Sequence, residues 1–233
     1  MKKRLLAAIA AAITFAFAAQ AQVTTDSLVN IQRARHYTEL WGQRAALYNT
    51  LGVDSTNIVM FGNSLTHGGE WNELMGRTDI VNRGINGDII QGLVDRLDAV
   101  VDGHPRKIFL LIGVNDVSHN LTADSIVTAT CGMIDKIMER TPTTRLYVQS
   151  LFPINNSFKR YKAIFGKEDV IRQINAKLRP EVEKRGLKWV EVNSFLVDDE
   201  GNLRSDLTND GLHLLPEGYA IWRDILAPLM AEE

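Results

Sequence analysis

Residues 107–112 read Lys-Ile-Phe-Leu-Leu-Ile, and the chain then leaves them through Gly113-Val114-Asn115-Asp116. An unbroken apolar run of this length, opened by a lysine and closed by a glycine, has the signature of a strand buried on both faces. Upstream, residues 57–61 (Asn-Ile-Val-Met-Phe) repeat that pattern, followed by a helical stretch at Trp71–Met75, a short strand at Asp79–Asn82 and one helix across Asp88–Val101. Downstream, Ile126, Ala129, Met133, Ile134 and Ile137 mark an amphipathic helix over Ser125–Arg140. A strand at Arg145–Leu151, a helix at Glu168–Lys184, a strand at Lys188–Val192 and a last helix at Pro216–Met230 complete the series. A long first helix precedes it all, carried by Tyr37, Leu40, Trp41, Ala45 and Tyr48, with Leu28 and Ile31 as a lead-in and Thr25-Asp26-Ser27 as a cap.

Apolar strands alternating with helices predict a parallel sheet covered on both sides, an α/β three-layer sandwich of about five strands. In the order 2-1-3-4-5, ligands bind beyond the carboxyl ends of the strands, where the first and third strands diverge. The expected site therefore lies where the loops after residues 61 and 112 face each other.

The N-terminus begins with Met1-Lys2-Lys3-Arg4, continues through an apolar stretch to Ala18 broken only by Thr14, and ends in Ala19-Gln20-Ala21. This predicts a secretory signal peptide over residues 1–21, with export to the periplasm or the exterior and a single domain over residues 22–233. The apolar stretch is too short for a bilayer-spanning helix, so no stable membrane insertion is expected after cleavage. A net charge of −2 with both signs interspersed gives no footprint for nucleic acid. Cys131 is the only cysteine, which excludes an internal disulfide, and its place in a helical apolar pattern predicts a core thiol. Oligomeric state is not legible.

Four polar segments sit in loops beside the apolar runs: residues 62–66 (Gly-Asn-Ser-Leu-Thr), 82–84 (Asn-Arg-Gly), 113–116 (Gly-Val-Asn-Asp) and 210–213 (Asp-Gly-Leu-His). Ser64, at a strand-to-helix turn, offers a hydroxyl and its own backbone N–H. Asp210 and His213 are close enough in one loop for the carboxylate to hold Nδ1 and leave Nε2 free to take a proton. The Asn115 amide and the Gly84 N–H are candidate donors to an oxyanion. Asp116 is expected to brace its loop, and His67 to line the pocket. The G-x-S-x-G elbow of α/β-hydrolases is absent, since Ser64 is followed by Leu65-Thr66.

These blocks, in this order over roughly residues 57–222, resemble the SGNH hydrolases, also called GDSL-like lipases and acylhydrolases. The runs GNSLTHGGEW (62–71) and DGLHLLPEGYAIW (210–222) look most like a secreted bacterial branch similar to platelet-activating-factor acetylhydrolase catalytic subunits and carbohydrate acetylesterases. The resemblance implies Ser64 as nucleophile, His213 and Asp210 as the rest of a triad, and Ser64, Gly84 and Asn115 as the oxyanion hole. It implies cofactor-free hydrolysis of carboxylic esters, with acetylated glycans or sialic acids as first choice. Lipid esters and lysophospholipids, glycan O-acetyl transfer and non-catalytic carbohydrate binding are the alternatives. One departure is Asn63, where the first block usually has aspartate. Asn63, His67, Phe152 and Asn155 are expected to help bind substrate, the last two from the rim segment 152–158.

Overall fold

The computed structural model describes residues 38–232, and the expected signal peptide and the lead-in to the first helix lie outside them. From Glu39 onward the contacts form one compact unit. Five parallel strands, β1 (Ile58–Gly62), β2 (Ile80–Gly84), β3 (Lys107–Leu111), β4 (Arg145–Gln149) and β5 (Lys188–Val190), stand in the order β2-β1-β3-β4-β5, as the sequence predicts. Ten helices accompany them among the described residues: α1 (Glu39–Leu51), α2 (Ser64–His67), α3 (Trp71–Met75), α4 (Ile90–Asp95), α5 (Asp98–Val101), α6 (Val114–Ser118), α7 (Ala123–Arg140), α8 (Glu168–Lys184), α9 (Asn193–Leu196) and α10 (Pro216–Ala231). None is long and apolar enough to cross a membrane.

Strand periodicity sorts the core into two layers. Val59 and Phe61 of β1, with Ile108 and Leu110 of β3, face α4, α5, α7 and α8 through Leu93, Val100, Ile134 and Ile174. Ile58, Met60, Phe109 and Tyr147 face the other way, toward Leu65, Trp71, Leu196 and Trp222. Cys131 is a buried free thiol on α7, as its helical pattern predicts. Each layer is packed against by helices whose apolar stripes repeat every three to four residues, so the sheet leaves neither face to water.

The register sets the site. Gly62 pairs with Gly84 on one side and with Leu111 on the other, so β1, β2 and β3 end at one level and their following loops meet. One expectation is corrected here: residues 88–101 form not one helix but α4 and α5, broken at Arg96. The side chain of Arg96 turns inward, donating to the Asp88 carboxylate at 2.8 Å and the Gly62 carbonyl at 3.0 Å, and its backbone leaves helical geometry. Fixing that buried guanidinium takes precedence over helix continuity.

Candidate active site

Ser64 opens the single-turn helix α2, directly after β1. Asn63 caps it, its Oδ1 accepting from the Leu65 N–H at 3.1 Å, and Ser64 as first helical residue keeps an N–H with no intrahelical acceptor. The carbonyl end of this helix is clamped: Trp71 Nε1 and Asn82 Nδ2 donate to the Thr66 carbonyl at 2.8 and 3.0 Å, and the Tyr219 hydroxyl donates to the Leu65 carbonyl at 2.9 Å. Asn63 is 1% exposed and its Nδ2 has no partner among the described residues. That orphan NH2 is the local consequence of an amide standing where the resemblance leads one to expect a carboxylate.

The second half of the site arrives on the loop before α10. Gly211 adopts φ +85°, which lets the chain fold back so that Asp210 Oδ1 accepts the backbone N–H groups of Leu212 and His213 at 2.9 and 2.8 Å. Asp210 Oδ2 is then 2.8 Å from His213 Nδ1, and His213 Nε2 is 2.9 Å from Ser64 Oγ. Desolvation raises the Asp210 carboxyl, but the hydrogen bonds from the His213 ring and from the His213 and Leu212 backbones outweigh it, leaving it below its ordinary value. A carboxylate that stays ionised holds Nδ1 protonated and turns the lone pair of Nε2 toward the hydroxyl.

Sequence reasoning passed over Tyr161. Its hydroxyl donates to Asp210 Oδ2 at 3.1 Å and stands 3.2 Å from His213 Nδ1, with the two rings edge to face at 5.6 Å between centroids. Burial and the Asp210 charge raise its phenol above the usual value, so it keeps the proton it donates. No motif marks this tyrosine. It reaches the site from a segment 49 residues before Asp210, between the short 3-10 turns Asn156–Phe158 and Lys162–Ile164.

Across from Ser64, Asn115 lies in the first turn of α6. One hydrogen of its Nδ2 goes to the Asp88 carbonyl at 2.8 Å, which aims the amide and leaves the second hydrogen without a partner among the described residues. Beneath it, Asp116 is buried, and both carboxylate oxygens accept the Ile90 N–H at 3.3 Å, the bracing role expected of it. Desolvation pushes its carboxyl up to about 7, against the lowering effect of that N–H.

A cleft of about 740 Å³ opens over these groups, with Ser64, His67, Gly87, Asn115, Tyr161 and His213 on its wall. Of the four residues expected to bind substrate, His67 lies there, its Nδ1 3.2 Å from the Gly84 carbonyl. Asn63 is occupied in capping. Phe152 is in the core, edge-on to Trp222 at 4.6 Å. Asn155 braces its own loop, donating to the Leu203 carbonyl at 2.7 Å and accepting from Ser157. The apolar character of Phe152 and the loop chemistry of Asn155 serve packing and turn formation instead of the cleft.

Gly84 also departs from expectation. Its N–H donates to Asn82 Oδ1 at 2.8 Å, and it is off the cleft wall. A Cβ there would come within 2.3 Å of the His67 nitrogen, so glycine lets β2 approach α2. Three residues on, Gly87, at φ +78°, lies on the cleft wall with an N–H that makes no hydrogen bond among the described residues. Among the described residues, no group of three or more His, Cys, Asp or Glu side chains is placed to hold a metal ion.

Known proteins share this architecture. The chain is 27% identical over 193 residues to platelet-activating factor acetylhydrolase IB subunit alpha1 of Pongo abelii, covering 77% of this chain and 79% of that one. A structure from Streptococcus pneumonia, provisionally described as a platelet activating factor, superposes with a TM-score of 0.75 at 26% identity, over 89% of this chain and 99% of the other. A GDSL-like lipase from Bacteroides thetaiotaomicron shares the fold at a TM-score of 0.71 and 20% identity, over 81% and 96% of the two chains. The family model for GDSL-like lipases and acylhydrolases matches residues 60–221, from within β1 to within α10, a span that carries Ser64, Asn115, Tyr161, Asp210 and His213, and the chain belongs to that family of ester hydrolases.

Proposed function

We propose that the protein is a serine esterase that cleaves short-chain, chiefly acetyl, carboxylic esters through an acyl-enzyme. The observation that carries this reading is the continuous chain Asp210–His213–Ser64, with links of 2.8 and 2.9 Å, at the floor of an open cleft. His213 Nε2 takes the Ser64 proton as Oγ attacks the ester carbonyl, and Asp210 stabilises the imidazolium that results. The same proton then goes to the departing alkoxide. Water, deprotonated by His213, releases the acid. The negative charge on the tetrahedral oxygen falls to the Ser64 N–H, the free hydrogen of Asn115 Nδ2 and the N–H of Gly87, which replaces Gly84 in this role because the Gly84 N–H is already engaged.

Acetyl esters are favoured because the curated relative is an acetylhydrolase by name. Residues 1–21 would carry the enzyme out of the cytoplasm, toward acetylated glycans or sialic acids, and residues 22–233 would be one domain. A second reading, hydrolysis of longer lipid esters, draws on the apolar cleft residues Val114, Ala163, Ile164, Leu212 and Leu214. A series of p-nitrophenyl esters of increasing chain length separates the two: rates peaking at acetate support the first, rates rising with chain length the second. Ser64→Ala should lower kcat by about 10⁴-fold or more, and undiminished hydrolysis by that variant would remove the nucleophile assignment.

A further inference from the structure

Arg160 and Lys162 flank Tyr161 and both line the cleft above Ser64 and His213, whereas no aspartate or glutamate among the described residues does. Both cations are exposed, and neither forms a hydrogen bond or ion pair among the described residues. Other surface arginines are paired: Arg185 holds Asp135 and Glu181, Arg140 holds Asp98 and Asp102, and Arg204 holds Asp206. Asp210, the carboxylate nearest in the site, is already engaged at both oxygens by Leu212, His213 and Tyr161. The cleft wall therefore carries two cations against the one ionised carboxylate of Asp210 behind His213, in a molecule of net charge −2, and concave apolar walls concentrate the positive field on whatever enters.

Resting on the esterase reading of this same cleft, we propose that the natural substrate is an ester whose alcohol portion bears an anionic group, a carboxylate or a phosphate, received by Arg160 and Lys162. The charge belongs to the alcohol because a short acyl group has no position for it. The volume of about 740 Å³ leaves most of the cleft to the alcohol. A guanidinium pairs with either anion through two parallel N–H donors, while the lysine adds a mobile point charge.

The test compares kcat/KM for 4-acetoxybenzoate, its neutral methyl ester and 4-acetoxyphenyl phosphate, in the wild-type protein and in Arg160→Gln/Lys162→Gln. The ratio of anionic to neutral turnover should fall about tenfold on substitution, and in the wild type it should fall as salt is raised. The arm with the larger fall identifies carboxylate or phosphate. Arg160→Glu should lower the ratio further. A ratio that the double substitution leaves unchanged, even where both rates decline together, overturns the proposal. The esterase reading fails separately, by continued hydrolysis of the neutral ester in Ser64→Ala.

Discussion

At the residue scale the site is a set of side chains each held by a second partner. Tyr161 is the clearest case, since it shares Asp210 Oδ2 with His213. A hydrogen bond to a charged group contributes about 1.5–3 kcal/mol, so Tyr161→Phe should reduce kcat/KM on p-nitrophenyl acetate by about tenfold, mainly through kcat, in steady-state kinetics. Asp116 makes a prediction of a different kind. Its folded carboxyl titrates near 7, above the ordinary carboxylate value of 3.8, so the native state holds a proton that the unfolded chain has released. Its contribution to stability is complete below about pH 4 and is lost as pH rises to about 7. Asp116→Asn should flatten that decline in urea unfolding measured across this range. Asp210 has the opposite sign: lowered when folded, it stabilises above the ordinary carboxylate value and loses that contribution as pH falls.

At the element scale, the ends of strands and helices are fixed by polar anchors. Lys107, fully buried at the start of β3, donates through Nζ to the carbonyls of Leu229 at 2.8 Å and Met230 at 3.1 Å, and also to that of Glu232. One cation thus satisfies the end of α10 and complements its negative pole. Lys107→Met would strand those carbonyls, and unfolding free energy should fall by about 1–3 kcal/mol, with faster amide exchange in the last turn of α10. The long elements were legible because their apolar periodicity is strong: α8 runs over the residues its pattern predicts. The single-turn helices α2, α6 and α9 were not, since four or five residues carry barely one period, although the equally short α3 was read at Trp71–Met75. The break between α4 and α5 follows from the inward turn of Arg96, which a helical pattern does not register.

At the scale of the whole molecule, two halves of the site from opposite ends of the chain must be held to within a few tenths of an ångström. Trp222 of α10 does much of this. Its ring meets Trp71 at 4.7 Å and Phe152 at 4.6 Å between centroids, and its Nε1 donates to Gln149 Oε1 at 2.6 Å. It therefore joins the helix that follows His213 to the layer that clamps α2. Trp222→Ala should lower unfolding free energy by about 3–5 kcal/mol, read by chemical denaturation, and esterase activity should be lost at a correspondingly lower temperature.

By itself the sequence determined the α/β class and singled out Ser64, Asn115, Asp210 and His213 as candidates, because those depend on local periodicity and on short loops whose chemistry is written in adjacent residues. Only the tertiary structure decided that Tyr161 joins Asp210, that the Gly84 N–H is spent on Asn82 while Gly87 lines the cleft, and that Arg160 and Lys162 line it too. These depend on where loops distant in sequence come to rest after the sheet has paired, and on which of several equivalent N–H groups the packed backbone leaves without an acceptor. Neither is encoded in spacing along the chain.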